Sequence, residues 1–143
     1  MSSKSHDTLR ETGGIQIAGL AEVVLNVHNL DRSLAFYRDL LGLTVISPPE
    51  RTNPIFLRAG DAGADLPALV VLVQLPPDTP DFSRPRTLHH LALAVPADAF
   101  DAAHNALTTA GFNVRFGQHP VIPSRTMYID DPDGNEVELI APR

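Results

Sequence analysis

The sequence predicts an α+β protein built from two copies of one βαβββ module, and three observations carry the prediction. The run AEVVLNV, from Ala21, alternates like a strand and is followed by a helix-like segment and three further strand-like runs. The same order of elements begins again after a proline-rich stretch. The chain then closes on DDPDGNEVELIAP, a tight turn feeding a strand that carries two carboxylates on one face.

The first copy is legible element by element. Residues 1–14 have almost no apolar content and end in a glycine pair, so they read as a disordered tail in which His6 is inert. In AEVVLNV, Val23, Leu25 and Val27 form one side and Glu22, Val24 and Asn26 the other. DRSLAFYRDLLG follows, with Asn29 or Asp31 as the cap, Leu34, Tyr37, Leu40 and Leu41 at helical spacing, and Gly42 where a helix end favours glycine. LTVIS, PIFLRA and LPALVVLVQL then read as three strands, separated by Pro48-Pro49 and by the Gly/Asp/Ala-rich stretch at 60–65.

Pro76 to Pro85 form a stiff, polar connector between modules. In LHHLALAV, Leu91, Leu93 and Val95 share one face and His90, Ala92 and Ala94 the other, so His90 stands where Glu22 stood. DAFDAAHNALTTAG is the second helix, with Phe100, Ala103 and Leu107 inward, Gly111 at its end and His104 as a structural side chain. FNVRF, SRTMYID and NEVELIA complete the copy. The predicted organisation is a tail at 1–14 and one domain at 15–143 made of modules 17–76 and 87–142.

Within NEVELIA, Val137 and Leu139 face one way and Glu136, Glu138 and Ile140 the other. Two readings of that acidic face are open: one solvated side of a sheet, or a metal site. The absence of cysteine rules out disulfides, thiolate ligands and a cysteine nucleophile, so any metal must be held by histidine and carboxylate. With a net charge of −6 and ten scattered arginines beside one lysine, nucleic acid is not an expected partner. No run is long and apolar enough to span a bilayer, and the expected setting is cytoplasmic.

The repeat, the opening LAEVVLNVHNLDRSLAFYRDLLGL and the closing DPDGNEVELI together resemble the vicinal oxygen chelate superfamily, from about Ile17 to Pro142. That group includes glyoxalases, methylmalonyl-CoA epimerases, fosfomycin and bleomycin resistance proteins, and extradiol dioxygenases. The resemblance implies an open, cup-shaped mixed sheet around one divalent metal, with helices on the outer face. The family's ligand positions fall on Glu22, His90 and Glu138. A fourth falls on Val71, which cannot bind a metal, leaving Gln74 as the nearest polar candidate on the opposite face. Glu136, nearer the turn, reads as a rim charge. One histidine and two carboxylates make a hard site that favours Fe(II) or Mn(II), with Zn(II) or Ni(II) as alternatives.

Tyr128 and His119 lie ten and nineteen positions before Glu138, similar to the spacing of active-site Tyr and His in extradiol dioxygenases. The resemblance therefore implies, first, oxidation of a substrate chelating the metal through vicinal oxygens, with Tyr128 and His119 managing protons. Glu22 in place of a histidine departs from that pattern. The alternatives are a glyoxalase- or epimerase-like lyase or isomerase with Glu138 or Glu22 as base, and a metal-free protein that binds a drug or hydrophobic ligand against Val24, Val71, Val73 and Ile140. In every case the partner is a small molecule, and exposed strand edges predict a homodimer.

Overall fold

The computed structural model describes residues 14–143, so the tail and His6 lie almost wholly outside the described residues. The chain runs β1 (Glu22–Val27), α1 (Leu30–Leu34) continued by a π-helical segment (Ala35–Leu40), β2 (Thr44–Val45), β3 (Ile55–Gly63) and β4 (Leu66–Gln74). After the connector come β5 (Leu91–Ala94), a 3-10 turn (Ala97–Ala99), α2 (Phe100–Thr109), β6 (Arg115–Gly117), β7 (Ser124–Asp130) and β8 (Glu136–Pro142). This is βαβββ twice over.

Each module forms its own four-stranded mixed sheet, in the orders β1-β4-β3-β2 and β5-β8-β7-β6. In each, the first strand pairs parallel with the last while the other pairs are antiparallel. The first strand of both sheets lies at an edge, and the two sheets share no strand pairing. Period-two alternation sets the faces: Leu25 and Val27 are buried while Val24 is 52% exposed. Both sheets turn their apolar faces to the helices, and Leu25, Val27, Phe36, Tyr37, Leu57, Leu72, Phe100, Leu107, Met127, Ile129 and Val137 belong to one continuous core.

Asn29 caps α1 by accepting from the Arg32 amide at 3.0 Å. Gly42, with φ +79°, follows its helical continuation in the left-handed conformation that glycine adopts without strain. Of the predicted stripe, Tyr37 is buried and Leu34, Leu40 and Leu41 pack half-buried against the core, while Ser33 and Phe36, which helical spacing does not mark, are buried as well. Among the described residues no helix is long and apolar enough to cross a membrane.

The turn at 131–135 joins the modules. Asp131 is buried and accepts from the Tyr37 hydroxyl at 2.6 Å, from the amides of Asp133 and Asn135 at 2.9 and 2.8 Å, and from Asn135 Nδ2 at 3.0 Å. Burial, reinforced by the neighbouring Asp131 carboxylate, pushes the Tyr37 hydroxyl well above its ordinary range, so it stays a donor. His28, at the end of β1, places Nδ1 2.8 Å from Asp133 Oδ1 and Nε2 2.9 Å from the Pro80 carbonyl. One imidazole thus ties the first sheet, the connector and the second-module turn together.

Candidate active site

Strand register makes the two modules directly comparable. Val24 stands opposite Val71 in the first sheet, and Ala92 stands opposite Glu138 in the second. Glu22 lies two residues before Val24 within β1 and shares its face by parity, and His90, just before β5, reaches Glu138 by direct contact, so Glu22 and His90 occupy corresponding positions, as do Val71 and Glu138. Across the next pairing Phe56 faces Val71, and Tyr128 faces Glu138. Tyr128 and Glu138 therefore share one face of the sheet. The first sheet presents Glu22, Val71 and Phe56 where the second presents His90, Glu138 and Tyr128.

His90 and Glu138 meet. His90 Nε2 lies 3.1 Å from Glu138 Oε1, and the Glu138 side chain is only 3% exposed. Its second oxygen, Oε2, is buried and has no hydrogen-bond partner among the described residues. A carboxylate held that way has lost its hydration without full replacement, an arrangement that a cation relieves. Oxygen and nitrogen ligands about 2.1 Å from a metal stand roughly 3 Å apart when adjacent in six-fold coordination, which the His90–Glu138 spacing matches. The donor set therefore fits a divalent ion.

Two further side chains crowd the rim. His89 Nδ1 is 2.8 Å from His90 Nδ1, and donor atoms of His89, His90 and Glu136 all lie within 4.8 Å of one another. Glu136 also accepts from Arg115 at 3.1 Å, and the same guanidinium reaches Asp130 at 2.9 Å. His89 escaped the sequence reading because strict alternation would turn it to the helix side. β5 begins only at Leu91, so alternation does not govern residue 89. Its one sequence signal was its adjacency to His90.

Tyr128 lies beside His90, ring centroids 6.1 Å apart. Gly117 makes room for it, since a Cβ there would sit 2.6 Å from Tyr128 Cε2. His119 lies elsewhere, in the loop past the Gly117–Thr126 pair, toward the end of the sheet remote from His90. There its Nδ1 accepts from the amides of Val121 and Ile122 at 3.1 and 2.9 Å, which shapes the loop. Gln74 is engaged too: Oε1 accepts from the Leu30 amide at 2.7 Å, and Nε2 donates to the carbonyls of His28 and Leu75 at 2.7 and 3.0 Å. That amide serves the start of α1. Glu22 is exposed on the other sheet, and among the described residues it joins no ligand cluster with His90 and Glu138.

The chain is similar to several known proteins. A catechol-2,3-dioxygenase of Bacillus subtilis is 28% identical over 83% of the chain, which spans only 40% of that protein's length. A lactoylglutathione lyase of Neisseria meningitidis is 28% identical over 85% of the chain and 88% of its own length. Two solved structures share the fold. A glyoxalase/dioxygenase from Nostoc punctiforme has TM-score 0.67 and 21% identity, covering 100% of this chain and 98% of its own. A fosfomycin resistance protein from Listeria monocytogenes has TM-score 0.63 and 19% identity, covering 90% and 96%. The family model of the Glyoxalase/Bleomycin resistance protein/Dioxygenase superfamily matches residues 19–139, and with its two βαβββ modules the chain belongs to that superfamily.

Proposed function

We propose that the chain is a divalent-metal-dependent enzyme acting on a small molecule with two adjacent oxygens, and that its reaction is proton transfer of the lyase or isomerase kind. The observation that carries this reading is the buried Glu138 carboxylate, with Oε1 against His90 and Oε2 unpaired. His90 and Glu138 hold the metal, with Glu22 as third ligand-type residue and Fe(II) or Mn(II) as the matching ions. When bound, that ion draws charge onto the substrate oxygens and acidifies the adjacent C–H.

The chain's own residues supply the rest. Tyr128 donates from its hydroxyl to a substrate oxygen. Glu22 accepts and returns the proton, since Glu138 is buried and set against His90. In this reading Glu22 comes from a second copy, because within one chain its carboxylate lies outside the His90 cluster and the β1 and β5 edges carry no cross-sheet pairing. Ring-opening oxidation of a catechol-like substrate is the second reading, favoured by Tyr128 standing opposite Glu138. It ranks behind because His119, its second proton-managing group, has Nδ1 engaged by loop amides.

The test is elemental analysis of protein purified without chelator, then of Glu22→Ala and Glu138→Ala alone and after mixing under subunit exchange. Each variant alone is expected to lose metal, and the mixture to regain about a quarter of the wild-type content, because half of the dimers carry one intact site. No metal in the wild type overturns the enzyme reading. Metal lost in both variants with no regain on mixing overturns the shared-site part. Proton exchange on a carbonyl substrate against oxygen uptake with catechols then decides between the two reactions.

A further inference from the structure

Beside the candidate metal ligands lies a cleft of about 690 Å³ lined by Arg84, Arg86, His89, Arg115, Asp130 and Glu136, among others. His89 and Glu136 belong to the cluster that includes His90, so the cleft opens directly onto the candidate site. Both of its carboxylates are taken by one cation, since Arg115 bonds to Asp130 and to Glu136. The other two arginines have no carboxylate partner among the described residues. Arg84 Nη2 donates to the Gly134 carbonyl at 3.1 Å, while Arg86 donates to the Asp133 carbonyl at 2.6 Å and to Asn135 Oδ1 at 3.0 Å. These acceptors are neutral, so the three arginines and two carboxylates of the cleft leave a net positive charge that falls on the Arg84 and Arg86 side.

The two guanidinium groups also converge. A methyl group on Gly134 would lie 3.1 Å from Arg86 Nη2 and 3.4 Å from Arg84 Nη2, so the absence of a side chain at 134 lets both close on the same point. Arg86 is held in place by its two bonds to the turn and by the Phe82 ring, 5.0 Å from its Cζ, and its Nε is buried without a partner. Fixed, planar donors with unspent charge at the mouth of a site are what an oxyanion binds.

We propose that Arg84 and Arg86 form an anchoring subsite for an anionic group, carboxylate or phosphate, so that the substrate is an acid carrying its two adjacent oxygens some distance from that charge. The inference rests on the proposed function for its meaning, but the subsite is a property of the metal-free chain. It is therefore tested in excess chelator, by titrating isotope-labelled full-length protein with malonate, with inorganic phosphate and with neutral dimethyl malonate while following the Gly134 and Asn135 amides. Saturable shifts with either anion and none with the neutral ester are expected, and the stronger anion identifies carboxylate or phosphate. Arg84→Ala, an exposed position, is expected to weaken that binding about tenfold, with Arg84→Lys intermediate. No shift at these amides, equal shifts with the ester, or unchanged affinity in a folded Arg84→Ala protein overturns the proposal. Metal content in Arg84→Ala is expected to equal that of the wild type, which separates failure here from failure of the metal reading.

Discussion

The two sheets share one topology and one register but carry opposite loads on their open faces. The first presents Glu22, Val71 and Phe56, and the second presents His90, Glu138 and Tyr128 at matching places. Their last turns differ in the same way. The β3–β4 connection is a two-residue turn through left-handed Ala64 and Asp65, with register shifts between Arg58 and Gly63, whereas the longer β7–β8 turn is tied down by Asp131. A duplicated module can keep its helix-facing core and still divide labour, because side chains on the open face do not support that core. Under the proposed function the second copy supplies His90, Glu138 and Tyr128, and the first supplies Glu22.

The most direct way to break this contrast is Glu138→Val, which gives the second sheet the residue of the first. Metal affinity is expected to fall well over 100-fold by calorimetric titration, since removal of even an outer-shell partner costs 10–100-fold. Apo stability in urea is expected to stay within about 1 kcal/mol of wild type or to rise, because the substitution removes a buried, half-paired carboxylate. A large loss of apo stability would make Glu138 structural.

Asp131→Ala removes the side chain that ties down the second turn. It strands the buried Tyr37 hydroxyl and the two turn amides, and a loss of about 3 kcal/mol in urea unfolding is expected. Gly117→Ala sharpens the comparison at Tyr128 alone. The new methyl pushes the ring aside, and an approximately tenfold lower proton-exchange rate with unchanged metal content is expected.

The smallest effect concerns His28. The Pro80 carbonyl, followed by the Asp133 carboxylate, raises its pKa above the ordinary 6.5, with Asp81 adding to the pull. The other groups around it are the Phe82 ring and, over that ring, Arg86. A folded-state pKa raised this way contributes stability in full below the unfolded value and loses it as pH rises through the folded one. The urea midpoint is therefore expected to be higher at pH 6 than at pH 9, and His28→Gln to flatten that difference.

Much of this was legible in the sequence because period-two alternation and turn chemistry are local. Glu22 and Glu138 could be assigned to faces from parity alone, and Gly42 and Gly111 stand at helix ends as expected, with φ +79° and +90°. What escaped was non-local or irregular. Asp131 and Tyr37 are 94 residues apart, and no spacing rule connects them. Phe36, in the π-helical segment, joined the buried residues of the first helix, and the late start of β5 left His89 and His90 outside its alternation. His119 illustrates the limit of distance along the chain as a guide: its nineteen-residue separation from Glu138 matched a pattern, but its loop leads away from His90.

The Asp131 joint also bears on how the chain reaches its native state. The strand pairings of each sheet lie within one module, whereas the Tyr37–Asp131 and His28–Asp133 bonds close 94 and 105 residues of chain. Ordering so long a loop is entropically expensive, so the modules can form before the joint rewards their docking. Interactions made after the folding barrier act mainly on the unfolding rate. The turn that looks like a simple connector would then set how long the assembled protein lasts rather than how fast it forms.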